Sequence, residues 1–120
     1  MASQPSAGNC TIEQRRIGEI EVLSVVGVVD MLSAPQLEGA IAAAGQTSPR
    51  GVIVDLSAVD FLASAGMGVL VAARGALPAS VQLGVVADGP ATSRPLKLVG
   101  IAEVVGLHAT LDEALGALTA

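Results

Sequence analysis

Apolar positions in this chain fall into short runs separated by glycine, proline and acidic punctuation. Val52-Ile53-Val54, opened by Gly51 and closed by Asp55, is such a run and predicts a buried strand. Residues 20–29 form a longer run rich in Val and Ile and predict a second strand. Residues 11–15 are a further strand candidate. The turn Arg16-Ile17-Gly18-Glu19 would join these last two as an antiparallel hairpin. Residues 81–87 predict another strand, ended by the turn Asp88-Gly89-Pro90. A short one is expected around Val104-Val105.

Between the runs the period changes to that of helices. Ser33-Ala34-Pro35-Gln36 is a helix start, with Ser as N-cap, Pro in the first turn and Gln three residues on. That helix should run to about Ala44 and bury Leu37 and Ile41. Thr92 or Ser93 caps a third helix, with Pro95 in its first turn and Gly100 past its end. Thr110-Leu111-Asp112-Glu113 is a capping box for a last helix reaching Leu118. Strands that alternate with helices after a hairpin predict a partly parallel sheet with helices packed on it.

The stretch 51–74 organises the rest. After the strand, residues 56–60 read as a connection, and Phe61 and Leu62 as a return to the core. Ser64 stands where the second helix should begin, and Pro78 ends it. Met67, Leu70 and Val71 give that helix an apolar face. Its first turn, Ser64-Ala65-Gly66-Met67-Gly68, is unusual. Each glycine inside a helix costs about 1 kcal/mol relative to alanine. Two glycines and no carboxylate leave the first N–H groups bare and approachable. Packed backbone, an anion or a partner protein could take that place.

Composition narrows the function. A chain of 120 residues suits one domain with one core. Phe61 is the only aromatic residue, so base stacking has little to work with. Six basic residues against eleven acidic give a net charge of -5, and the basic residues are scattered. No nucleic-acid role is expected. Cys10 is alone, which excludes an intrachain disulfide and fits a reduced cytoplasmic setting. The longest stretch without charge is 13 residues, short of the ~18 needed to span a bilayer. Residues 1–10 read as a disordered tail without the features of a signal peptide, and residues 11–120 as the domain.

The order Gly27-Val28-Val29-Asp30, then residues 52–70 (VIVDLSAVDFLASAGMGVL), then residues 96–115, resembles the STAS domains of bacterial anti-sigma-factor antagonists. The resemblance implies an α/β STAS fold, a four- or five-stranded mixed sheet with about four helices against it. It implies a non-enzymatic role without cofactor: binding an anti-sigma factor, usually a serine kinase, and so releasing a sigma factor. In regulated members the kinase phosphorylates a hydroxyl at the start of the second helix, in a pattern close to D-S-S/T-G-L-G. Here Ala63 takes the place of the Asp and Ala65 that of the acceptor. Ser64, Gly66 and Gly68 match, and Asp30 matches the acid of a GxxD motif. The expected partner-binding residues are Asp30, Leu32, Ser64, Ala65, Gly66, Met67 and Gly68.

Competing readings stay open at this level. Ser64 is an N-cap worth ~1 kcal/mol or a substitute phosphoacceptor. Gly66 and Gly68 serve close packing, partner contact or both. Asp30 is a turn acid beside Ser33, a hydrogen-bond partner of Ser64 or a cation ligand. A ligand-sensing module that binds a nucleotide or other small anion at the same helix end is the alternative function. Gly66-x-Gly68 with Asp88 imitates part of a dinucleotide fingerprint, but Val71 replaces its third glycine. Ser64, Asp88 and His108 follow the chain order of a hydrolase triad without the nucleophile elbow. One His and one Cys far apart offer no metal cluster. A monomer or a homodimer is equally compatible with the chain.

Overall fold

A computed structural model describes residues 10–119. Ten elements follow in order: β1 (Cys10–Ile17), β2 (Ile20–Val29), α1 (Ala34–Gly45), β3 (Gly51–Leu62), α2 (Ser64–Ala76), β4 (Gln82–Val86), α3 (Ser93–Leu98), a 3-10 turn (Ile101–Glu103), β5 (Gly106–His108) and α4 (Leu111–Thr119). The strands form one five-stranded sheet in the order β1-β2-β3-β4-β5. β1 and β2 are antiparallel, and every later pairing is parallel. The mixed α/β sheet implied by the resemblance is therefore present. Residues 1–9, most of the expected tail, lie outside the described residues.

The hairpin is tighter than the sequence suggested. Ile17 pairs with Ile20, so Ile17 belongs to the strand and only Gly18 and Glu19 turn. Gly18 takes a φ of 60°, a left-handed value that a side chain would resist. Cys10 opens β1, one residue before the expected domain start.

β3 departs most from expectation. Residues 56–60 are not a connection: the strand runs unbroken from Gly51 to Leu62. Two irregularities hide it. Pairing with β2 slips between Ser24 and Val26 and again between Gly27 and Val28. Each slip inserts one extra residue on β3 and interrupts the inside–outside alternation that marks a strand. Leu56, Val59 and Leu62 are buried as a result, at a spacing of three, while Phe61 stays 56% exposed rather than returning to the core.

The sheet is covered unequally. On one face α1, α2 and α3 bury Leu23, Val25, Val29, Val52, Val54 and Val85 together with Leu37, Leu70 and Leu96. On the other face α4, the one helix there among the described residues, covers Ile20, Val22, Ile53 and Val86 with Ala114 and Leu118. Gly51 and Gly84 make room for this helix, because a Cβ at either would meet the Leu118 side chain. The short last strand lies at Gly106–His108, just past the expected Val104-Val105. There β5 pairs with β4, while Val105 is buried before the strand begins.

Helix ends follow the local chemistry only in part. At α4, Thr110 Oγ1 accepts the Glu113 N–H at 3.1 Å and the Glu113 carboxylate accepts the Ala109 N–H at 3.3 Å. The predicted capping box is thus formed, with its return bond one residue early. At α1, Ser33 stands before the helix but makes no capping bond to it. Gln36 does not complete a box either: both polar atoms of its amide are buried without a hydrogen bond. At α3 neither Thr92 nor Ser93 caps through its side chain, although Gly100 follows with a left-handed φ of 80°.

Candidate functional site

The C-terminal ends of β2 and β3 carry the two segments singled out by sequence. They are tied together by the Ala63 N–H, which donates to the Val29 carbonyl at 2.8 Å. One segment is the loop Asp30-Met31-Leu32-Ser33 and the other is the start of α2.

Asp30 builds the loop. Its Oδ1 accepts the N–H groups of Leu32 at 2.9 Å and Ser33 at 3.2 Å. Ser33 Oγ accepts the Asp30 N–H at 2.9 Å and donates to the Val28 carbonyl at 2.9 Å. A short acid and a hydroxyl that bond the nearby backbone are the usual means of holding such a turn. Of the readings open for Asp30, the turn acid beside Ser33 is the one formed. The loop holds Met31 at 79% and Leu32 at 73% exposure. Two long apolar side chains thus stand exposed next to each other in a hydrogen-bonded turn. Leu32 was expected here, whereas Met31 was missed. Its cue was adjacency to Leu32 in a turn closed by Asp30 and Ser33.

Beneath the loop lies Cys10, fully buried. Burial pushes its thiol above the ordinary value. A hydrogen bond with Ser33 works against that rise, and the Asp30 carboxylate adds to it.

The start of α2 differs from the expectation in one respect. Ser64 is the first helical residue, and the N-cap position belongs to Ala63, which has no side chain to cap with. No capping bond from Ser64 exists, so its hydroxyl is exposed and uncommitted. The first turn contains no acidic residue. Its N–H groups and the positive end of the helix dipole are uncompensated by side chains. The opposite end is better served. Arg74 in the last turn donates to the carbonyls of Pro78 at 3.1 Å and Val81 at 2.9 Å.

The two glycines have different roles. A Cβ on Gly66 would lie 2.5 Å from Val29 Cγ1 and 2.7 Å from Leu62 Cδ1. Gly66 is buried and lets the helix seat on the sheet. Around Gly68 there is nothing within 4 Å of such a Cβ, so its surface is open. Ala65 and Met67 are half-buried, and Met67 leans on the core. Leu70 is buried as expected. Val71 is 40% exposed, and Ala73 takes the inner position instead.

The hydrolase order does not bring Ser64 to His108. Asp55, Val86 and His108 lie in register across the sheet. Ser64 lies beyond Leu62, and β3 climbs roughly 20 Å from Asp55 to Leu62 at its usual rise per residue. No group of three or more His, Cys, Asp or Glu able to hold a metal occurs among the described residues. A cavity of about 420 Å³ between α1 and α2 is lined by Ile41, Ala73 and Leu77 among others. It lies at the far end of α2 and carries no Lys or Arg to hold an anion. No helix among the described residues is long and apolar enough to cross a membrane.

This architecture, a five-stranded mixed sheet with four helices against it, is that of the STAS class, and a STAS domain profile matches residues 11–114. The anti-sigma-F factor antagonist RsfB of Mycobacterium tuberculosis is 41% identical over 96 residues, which cover 80% of this chain and 79% of the relative. The crystal structure of an anti-sigma factor antagonist from Mycobacterium paratuberculosis superposes with a TM-score of 0.89 at 42% identity, covering 92% and 95% of the two chains. A more distant neighbour is the phosphorylated form of the Bacillus cell fate determinant SpoIIAA, with a TM-score of 0.63, 20% identity and coverage of 89% and 98%. That last likeness concerns the fold alone. The chain belongs to the STAS-domain family of bacterial anti-sigma factor antagonists.

Proposed function

We propose that this protein binds an anti-sigma factor, a serine kinase, in the cytoplasm and so frees a sigma factor, without catalysis of its own. The observation that carries the reading is the pairing of a bare α2 start with the exposed Met31-Leu32 turn at one end of the sheet. The apolar turn supplies area to bury. The helix end supplies N–H groups for a carboxylate of the partner. Asp30, Leu32, Ser64, Ala65, Met67 and Gly68 form the contact with Met31, and Gly66 supports it from beneath. Ser64 is the acceptor if the kinase switches the complex. Its free hydroxyl at the helix end suits a phosphate, which would bring nearly two negative charges into the contact.

Gly68→Glu tests the surface. Because nothing crowds Gly68, the variant should fold as the parent does and lose the anti-sigma factor in a pull-down from native cytoplasm. Normal recovery of the partner would remove this surface from the interface. Intact mass after incubation with the kinase and ATP tests the switch. A gain of ~80 Da at Ser64 with loss of the complex is expected. An unchanged mass would mean an antagonist that Ser64 does not switch.

A further inference from the structure

β1 forms one outer edge of the sheet, and that edge carries a self-complementary charge pattern. We infer that two copies of this chain pair antiparallel through β1, about a two-fold axis at Gln14. The backbone phase comes from the hairpin. A two-residue turn closes on a hydrogen-bonded pair, here Ile17 and Ile20. Residues Thr11, Glu13 and Arg15 therefore bond inward to β2, and the backbone groups of Ile12, Gln14 and Arg16 turn to the outer edge, which no other described strand covers. For two such edges to continue one sheet, even residues must meet even residues.

Charge then selects the register. Centred on Gln14, the pairing sets Glu13 opposite the second copy's Arg15, twice by symmetry. Both side chains are exposed on the sheet face away from α1. They fall at a non-hydrogen-bonded pair, where side chains approach most closely. A shift toward the start of the strand would set Glu13 against Glu13, and one toward its end Arg15 against Arg15. Arg16 does not compete for Glu13, because its guanidinium is held by the buried Glu21 carboxylate at 2.7 Å. The Met31-Leu32 turns would lie at opposite ends of the dimer, both free.

Sedimentation over a concentration series reads the outcome, with folding checked by circular dichroism. The parent should form a species of twice the 11.8 kDa chain. Glu13→Arg alone and Arg15→Glu alone each set like charges opposite and should weaken the dimer about tenfold or more. Mixed in equal amounts, the two variants regain both opposite-charge pairs and should associate with each other. A parent that stays monomeric at millimolar concentration overturns the proposal. So does a dimer that both single variants leave unchanged, or a mixture that fails to associate.

Discussion

Single positions in this protein separate packing from exposure. Gly66 and Gly68 looked alike in sequence, yet one abuts Val29 and Leu62 and the other faces open space. Gly66→Val should cost about 1–3 kcal/mol through overpacking, read from chemical denaturation. Gly68→Ala should instead stabilise by up to about 1 kcal/mol, the helix propensity difference. Cys10 supplies a pH dependence. Its folded thiol titrates above its unfolded value, chiefly through burial. The unfolded chain therefore ionises first, and the contribution, fully present below about pH 8.5, is lost as pH rises through the folded value. Denaturation midpoints should decline in this alkaline range, and Cys10→Ala should flatten that decline. The helix cost of the glycines was visible in sequence, but the burial of Cys10 and the unlike surroundings of Gly66 and Gly68 were not, because they depend on which strand lies opposite.

Elements were legible where their local signals were complete. β2 was read with its observed ends, since its apolar run is long and its turn is marked by glycine. α4 was legible through Thr110 and Glu113. β3 was not legible past Asp55, because its two slips convert an alternating pattern into a spacing of three, which resembles a loop or a helix turn. The starts of α1 and α2 were each misread in one detail. A serine at the right place caps only if its side chain is free to turn back, and Ser33 is held by Asp30 and Val28 instead. A paired substitution checks this account. Thr110→Ala removes a formed cap and should cost about 1 kcal/mol. Ser64→Ala removes none and should stay within about 0.5 kcal/mol of the parent. A large loss at Ser64 would mean that its hydroxyl holds the helix start after all.

At the scale of the whole molecule, what sequence conveyed was class and order rather than proportion. Alternation of strands and helices pointed to helices on a partly parallel sheet, and the glycine-rich start of α2 pointed to the candidate site. It did not show that, among the described residues, one face of the sheet would carry three helices and the other only α4. That division is a matter of which residues meet at long range, as with Leu118 against Gly51 and Gly84. It has a consequence in time as well as in space. A nine-residue helix resting on a small cluster of side chains can detach while the larger core stays closed. Amide protons of α4 should then exchange with deuterated solvent through a partial opening that barely responds to denaturant. Those of Leu23 and Val54 should wait for the chain to unfold globally. The protein would breathe from its C-terminal helix while the end that carries Met31, Leu32 and Ser64 keeps its shape.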